Sequence, residues 1–92
     1  MLSALPTNLG KLSKEDLDKE ILRAGIIAEL DAISFYEQMA AMTENKRIKA
    51  VLLDIAKEEK THVGEFQALL LEKDKEQEKE LKAGKKEITE KA

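Results

Sequence analysis

Three side chains with metal-ligand chemistry interrupt the apolar faces of two predicted helices. Glu29 lies at an inward position of the first helix, and Glu59 and His62, three residues apart, lie at inward positions of the second. An unpaired carboxylate is costly to bury, so three such interruptions at a similar height need an explanation. Oxygen ligands combined with a single imidazole suit iron or manganese better than zinc. The pattern therefore favours a metal site formed by Glu29, Glu59 and His62.

The same residues also have an explanation without a metal. Glu59-x-x-His62 is a weak motif in a chain with many glutamates, and a single histidine on an apolar face is more often a hydrogen-bonded core residue. Glu29 reaches water if it lies at the edge of its face. The metal interpretation is favoured because the charged interruptions of the two faces lie opposite each other.

Two long helices are predicted to position these residues in an all-α chain. Apolar residues recur at steps of three and four along each helix, and the chain contains only 4 Gly and 1 Pro. The first helix is expected to run from about Lys14 to Met42, and the second to about Lys73. A short connection at 43–45 makes the two helices an antiparallel hairpin.

The chain divides into four predicted segments. They are an irregular N-terminal arm at 1–12, the helical hairpin at 13–73, a short C-terminal helix at 74–84 and a flexible tail or linker at 85–92. Ser13 is expected to cap the first helix and Asp74 the third, because short polar side chains accept hydrogen bonds from the amides of a first turn. Gly84 is expected to end the third helix.

The composition excludes several classes of function. The 92 residues include no Cys, which rules out a disulfide framework and thiolate metal sites. The formal net charge is only -3, from 16 basic and 19 acidic residues, so we expect no nucleic-acid partner. No apolar run approaches the roughly 18 residues of a membrane span. We therefore expect a cytoplasmic protein with no membrane partner.

A two-helix hairpin leaves most of each apolar face uncovered, so a second copy is expected to cover it. Two hairpins packed face to face form a four-helix bundle. A two-fold axis then brings together one Glu from each of two helices and a Glu-x-x-His from each of the other two, the ligand set of di-iron carboxylate proteins. Four carboxylates balance the charge of two divalent cations. The dimer therefore predicts a metal site shared between subunits.

Two stretches of the chain resemble a known family. Residues 27–38, with the aromatic pair Phe35-Tyr36, and residues 54–62, which end in Glu-Glu-Lys-Thr-His, resemble the encapsulated ferritins. These proteins are two-helix relatives of ferritin and rubrerythrin. The resemblance covers about residues 14–83, and it implies that the dimer is a ferritin-like four-helix bundle.

The resemblance also implies a function and its partners. The family's ferroxidase centre oxidises Fe(II) to Fe(III) with O₂ between two subunits, and Glu29, Glu59 and His62 match its iron ligands. The implied content is about two iron ions per dimer. The implied assembly is a decameric ring of dimers inside an encapsulin shell, which stores the iron. The C-terminal tail is then either a targeting peptide or the point of a cut fusion to the shell protein.

Two further residues are candidates for the site. Tyr36 lies one turn beyond Ile33 on the face of Glu29, where its hydroxyl could hydrogen-bond a ligand or bound oxygen, or be satisfied by any core acceptor. Asp31 matches one acid of the family's outer metal-entry site. The other acid of that entry site, directly before the first ligand, is replaced by Ala28 in this chain.

Two alternative functions stay open at this point. A rubrerythrin-like peroxidase uses the same ligands, although rubrerythrins usually add a thiolate-bound iron that a chain without Cys cannot form. A structural helical dimer would use the polar core groups to set the register of its helices, with no chemistry.

Overall fold

Three helices account for almost all of the residues that the structure describes. The computed structural model describes residues 12–91, and its helices are α1 (Lys14–Met42), α2 (Lys46–Lys73) and α3 (Lys75–Glu90). No strand occurs within that range, which confirms the all-α prediction. None of these three helices is long and apolar enough to cross a membrane. The predicted N-terminal arm lies, apart from Leu12, outside the described residues.

Side-chain caps determine where both long helices begin, and Ser13 is the predicted cap of α1. Ser13 Oγ accepts a hydrogen bond from Asp16 N at 3.2 Å. Asn45 Oδ1 accepts hydrogen bonds from Arg47 N and Ile48 N at 3.0 Å each. These side-chain oxygens satisfy amide groups that the first turn of a helix leaves without partners. Three residues join α1 to α2, so the two helices run antiparallel as predicted.

The core between α1 and α2 is thin. Within residues 12–91, the buried apolar side chains are Leu22, Ala40, Ala56 and Leu70. Many larger apolar side chains of the hairpin are exposed, among them Ile21, Leu30, Ile48, Val51, Leu53 and Leu69. Two helices cover only the strip between them, which leaves the rest of each apolar face open. The hairpin therefore presents an apolar surface that its own residues do not cover.

Asp74 joins α3 to the hairpin through polar contacts. Its Oδ1 accepts a hydrogen bond from Gln77 N at 3.0 Å, which caps α3. Its Oδ2 accepts a hydrogen bond from Arg23 Nη2 of α1 at 2.8 Å, and Arg23 also pairs with Glu20 at 2.9 Å. None of the residues of α3, all of which the structure describes, is buried. Charge and capping at its first turn therefore hold α3, rather than apolar packing.

The third helix is longer than predicted. It continues through Gly84 to Glu90, so the prediction that Gly84 ends the helix was wrong, and most of the predicted tail at 85–92 is helical. A glycine that ends a helix commonly adopts a positive φ, and no glycine within residues 12–91 does so. One interior glycine costs about 1 kcal/mol, which the surrounding Lys, Glu and Ala residues outweigh as good helix formers.

Acidification is expected to remove the contribution of Asp74 to α3. The hydrogen bond from Gln77 N lowers the pKa of Asp74 below its ordinary value of 3.8, burial opposes this effect in part, and the charges of Lys19 and Arg23 lower the pKa further. A carboxyl whose pKa is lowered by folding adds stability above its unfolded pKa and loses it as the pH falls through the folded pKa. The stabilisation of α3 is therefore expected to be complete at neutral pH and to decrease progressively as the pH falls below about 4.

The variant Asp74→Asn isolates this effect, because its amide oxygen still caps α3 but carries no charge. We expect the wild type to be more helical than Asp74→Asn at pH 7, and the difference in circular dichroism at 222 nm to shrink progressively as the pH falls below about 4. A difference that persists unchanged at low pH would contradict the role of the charge.

Candidate metal centre

The antiparallel hairpin brings Glu29 of α1 against Glu59 and His62 of α2. His62 Nδ1 lies 3.5 Å from Glu29 Oε2 and 3.6 Å from Glu59 Oε2. One ligand atom from each residue lies within 4.8 Å of the other two. Glu59 and His62 share a face of α2 because they are three residues apart, and the pairing of the helices adds Glu29. These three residues, singled out from the sequence, form one group that we call the ligand cluster.

The ligand cluster is partly withdrawn from water. The side chains of Glu29 and Glu59 are 18% and 19% exposed, and that of His62 is 46% exposed. Glu29 Oε2 is buried and has no hydrogen-bond partner within residues 12–91, since 3.5 Å from His62 Nδ1 is too long for a good hydrogen bond. A buried acceptor without a donor costs about 1–3 kcal/mol, and more when it is charged. A bound cation would offset this cost.

A divalent cation fits the donor atoms of the ligand cluster. Two atoms bound to one cation at about 2.0–2.2 Å lie about 3–4 Å apart, and both separations from His62 Nδ1 fall within that range. Carboxylate oxygens with one imidazole are ligands that iron and manganese accept well. Three ligand atoms are fewer than the about six of an octahedral site. The remaining positions would be filled by the second oxygens of the two carboxylates, by water or by a further copy of the chain.

A cavity of about 360 Å³ adjoins the ligand cluster. It is lined by Glu29, His62, Glu65, Phe66 and Leu69. Glu65 and Phe66 were not predicted as site residues, although helical spacing was a signal for both. They follow His62 by three and four residues, and residues at these spacings are neighbours on a helix surface. The site therefore continues from the ligand cluster into a partly apolar space on the same side of the hairpin.

His62 interrupts a row of apolar residues on α2. Ile48, Ile55, His62 and Leu69 follow each other at seven-residue spacing, which places them on one face of the helix. Ile48 and Leu69 are exposed, and Val51, one turn beyond Ile48, is 59% exposed. Apolar side chains at this spacing are typical of helices that pack against another helix. The face of α2 that carries His62, called the open face below, is thus suited to contact with a further helix.

The other two candidate residues, Tyr36 and Asp31, do not belong to the ligand cluster. Tyr36 lies seven residues beyond Glu29, about 10 Å along α1. Its ring packs edge-on against Phe35, with ring centroids 5.3 Å apart and an interplanar angle of 80°. Asp31 is half-buried on α1 and is not among the clustered ligand atoms. A hydrogen bond from Tyr36 to a ligand and metal entry at Asp31 therefore stay predictions.

Comparisons with known proteins agree with this architecture. The family model described as EncFtn-like matches residues 5–87. The chain is 55% identical over 93 residues to the ferritin-like-encapsulin shell fusion protein of Pyrococcus furiosus. That match covers 98% of this chain and 27% of the fusion protein, so the chain spans about a quarter of the length of this relative.

A solved structure shares the fold. The crystal structure of the encapsulated ferritin domain from Pyrococcus furiosus matches with a TM-score of 0.84 and 52% sequence identity, and the match covers 98% of this chain and 94% of that chain. The family match spans most of the sequence, and the relatives are identical at more than half of the compared positions. The chain belongs to the encapsulated ferritins, the EncFtn-like family.

Proposed function

We propose that two copies of this chain form a ferroxidase site that oxidises Fe(II) to Fe(III) with O₂, for storage of the iron in an encapsulin shell. The observation that carries the proposal is the ligand cluster, in which the buried Glu29 Oε2 has no hydrogen-bond partner among residues 12–91. Membership of the encapsulated ferritins supports the same function. Iron is the substrate of this reaction, and the side chains of the ligand cluster are the groups that bind it.

A second copy supplies the ligands that one hairpin lacks. Two hairpins paired along their open faces would form a four-helix bundle and bring two ligand clusters together about a two-fold axis. The four carboxylates would then balance the positive charge of two Fe²⁺ ions, with two neutral imidazoles as further ligands. The homodimer is the smallest complete site in this proposal. The family resemblance extends it to a decameric ring of dimers.

The carboxylates of the ligand cluster favour the oxidised state of the iron. The attraction between a carboxylate and a cation grows with the charge of the cation, so Glu29 and Glu59 stabilise Fe³⁺ more than Fe²⁺. Two Fe²⁺ ions release two electrons, and with two protons these reduce one O₂ to H₂O₂. Carboxylates also bind a metal through one oxygen or two, and a change between these modes leaves a position for O₂. His62 would add an imidazole nitrogen to these carboxylate ligands.

The product of the reaction needs a container. A hairpin, a bundle or a ring of bundles encloses no volume that holds a mineral. The Pyrococcus furiosus relative is named as a fusion of a ferritin-like part with an encapsulin shell. We propose that this chain works inside such a shell in the cytoplasm, and that the shell receives the Fe³⁺.

Anaerobic titration with Fe²⁺, followed by exposure to O₂, tests the proposal. We expect O₂ uptake to saturate at about two iron ions per pair of chains. The mass of the assembly, measured with and without Fe²⁺, is expected to be at least that of a dimer under every condition in which iron is oxidised. A fully active single chain would contradict a site shared between copies.

The same titration separates the two alternative functions. Faster turnover with H₂O₂ than with O₂ would indicate a rubrerythrin-like peroxidase. Dimers that bind no iron would indicate a structural role for the polar groups of the core.

A further inference from the structure

Gly25 of α1 lies directly against the aromatic ring of Phe66 of α2. A Cβ atom added to Gly25 would lie 3.1 Å from Phe66 Cζ and 3.2 Å from both Cδ1 and Cδ2. Nearly equal distances to atoms on opposite sides of a ring place that position over the face of the ring. Aromatic carbon and a methyl group are in favourable contact at about 3.5–4.0 Å. A side chain at Gly25 would therefore require the ring of Phe66, or the helix that carries it, to move by a few tenths of an ångström.

This contact is one helical turn from the ligand cluster on both helices. Gly25 precedes Glu29 by four residues along α1, and Phe66 follows His62 by four residues along α2. Residues four apart lie one above the other on the same side of a helix. In the antiparallel hairpin, the pair Gly25 and Phe66 is therefore the next layer after the pair Glu29 and His62.

The cavity beside the ligand cluster determines where a displaced ring would go. Phe66 lines this cavity together with Glu29 and His62. If a methyl group at Gly25 moved the ring by a few tenths of an ångström, the ring would shift beside these two ligands. If the ring kept its place, α1 would move away from α2 one turn from Glu29. Either change alters the separation of Glu29 from His62, which is 3.5 Å in the structure.

We propose that Gly25 and Phe66 are positioning residues for the metal site. The ring of Phe66 packs against the backbone of Gly25, and this contact determines how closely α1 approaches α2 near the ligand cluster. The distance between the helices in turn determines the separation of Glu29 from Glu59 and His62. The inference rests on the proposed function, because it assigns these residues to the site proposed there. Neither residue carries a side-chain donor atom for a metal. Both act through Glu29 and His62.

The variant Gly25→Ala tests the inference, and Gly64→Ala is its matched control. Both substitutions replace a helical glycine by the best helix former, so both raise helix propensity equally. A Cβ atom at Gly64 would meet no atom of the described chain within 4 Å. A difference between the two variants therefore reports the contact with Phe66 and not the change in propensity.

Co²⁺ is the probe, because it binds nitrogen and oxygen ligands without oxidation by O₂ during the titration and its visible absorption reports ligand geometry. We expect Gly25→Ala to bind Co²⁺ at least about 10-fold more weakly than the wild type, with an altered absorption spectrum. Gly64→Ala is expected to match the wild type in affinity and spectrum. Circular dichroism and sedimentation of the same samples check that the helices and the assembly are retained.

A second background, Phe66→Leu, separates positioning from a general effect on folding or assembly. Without the aromatic ring, a methyl group at Gly25 has no ring face to displace. Adding Gly25→Ala to Phe66→Leu is therefore expected to change the Co²⁺ affinity by less than about 2-fold. An equal loss in both backgrounds would overturn the inference, as would a Gly25→Ala variant with the affinity and spectrum of Gly64→Ala.

The outcomes also distinguish this inference from the proposed function. A wild type that binds Co²⁺ with the expected variant pattern but does not oxidise Fe²⁺ would leave the positioning role standing and refute the ferroxidase proposal. A wild type that oxidises Fe²⁺ and shows no difference between Gly25→Ala and Gly64→Ala would refute the positioning role alone. A wild type that binds no metal would refute both.

Discussion

Replacement of His62 by alanine is expected to abolish iron oxidation and leave the three helices in place. His62 is the only histidine in the chain, so no other imidazole can substitute for it. Loss of a group that merely supports a metal ligand costs about 10–100-fold in affinity or activity, and we expect loss of a ligand itself to cost at least about 100-fold. Because the side chain is 46% exposed and alanine favours helix, α2 is expected to stay folded.

The rate of Fe³⁺ formation after mixing with O₂ measures the loss of iron oxidation. Circular dichroism of the same sample measures whether the helices are retained. Thr61→Ala is the control, because Thr61 is the exposed neighbour of His62 in α2 and does not belong to the ligand cluster. Oxidation by His62→Ala at the wild-type rate would contradict the proposed ligand. An equal loss in Thr61→Ala would show that any disturbance of this turn is enough.

A lysine in place of Val51 is expected to separate the copies and to stop iron oxidation at the same time. Val51 is 59% exposed on the open face, so the substitution costs a single hairpin little. Between two copies, a buried charge without a partner costs several kcal/mol, which weakens association by at least about 100-fold. Val51 lies eleven residues from His62, about 16 Å along α2, so the lysine does not reach the metal. Loss of oxidation must then come from loss of assembly.

Leu53→Lys is the matched control for this prediction. Leu53 is 47% exposed and lies two residues from Val51, which places it on the other side of α2. We expect this variant to keep both the dimer and the iron oxidation. Analytical ultracentrifugation and O₂ uptake on the same samples give the comparison. A monomeric Val51→Lys variant with full activity would refute the shared site, and equal losses in both variants would refute the assignment of the open face.

The ends of the long helices could be predicted because they depend on residues that are close in sequence. The caps at Ser13 and Asn45 are set by a side chain and the amides two or three residues beyond it. The proximity of the three residues of the ligand cluster was predictable for a related reason. A connection of three residues forces two apolar faces together, so the charged residues that interrupt those faces must also meet.

Other features could not be predicted because they depend on the direction and rotation of the helices. The contact of Arg23 with Asp74 joins residues 51 positions apart and depends on how α3 leaves the hairpin. The contact of the Phe66 ring with Gly25 depends on how α1 and α2 are each rotated about their own axes. The prediction for Gly84 was wrong because a glycine ends a helix only where it adopts a positive φ. Glycine allows this conformation but does not require it.

The two helices that carry the ligand cluster are consecutive in the sequence. This order affects how newly synthesised subunits fold and assemble. Helical chains with mostly local contacts fold within about microseconds to milliseconds, whereas assembly of subunits is slower and depends on their concentration. Formation of the hairpin, and with it the meeting of Glu29, Glu59 and His62, is therefore expected to precede assembly of the subunits.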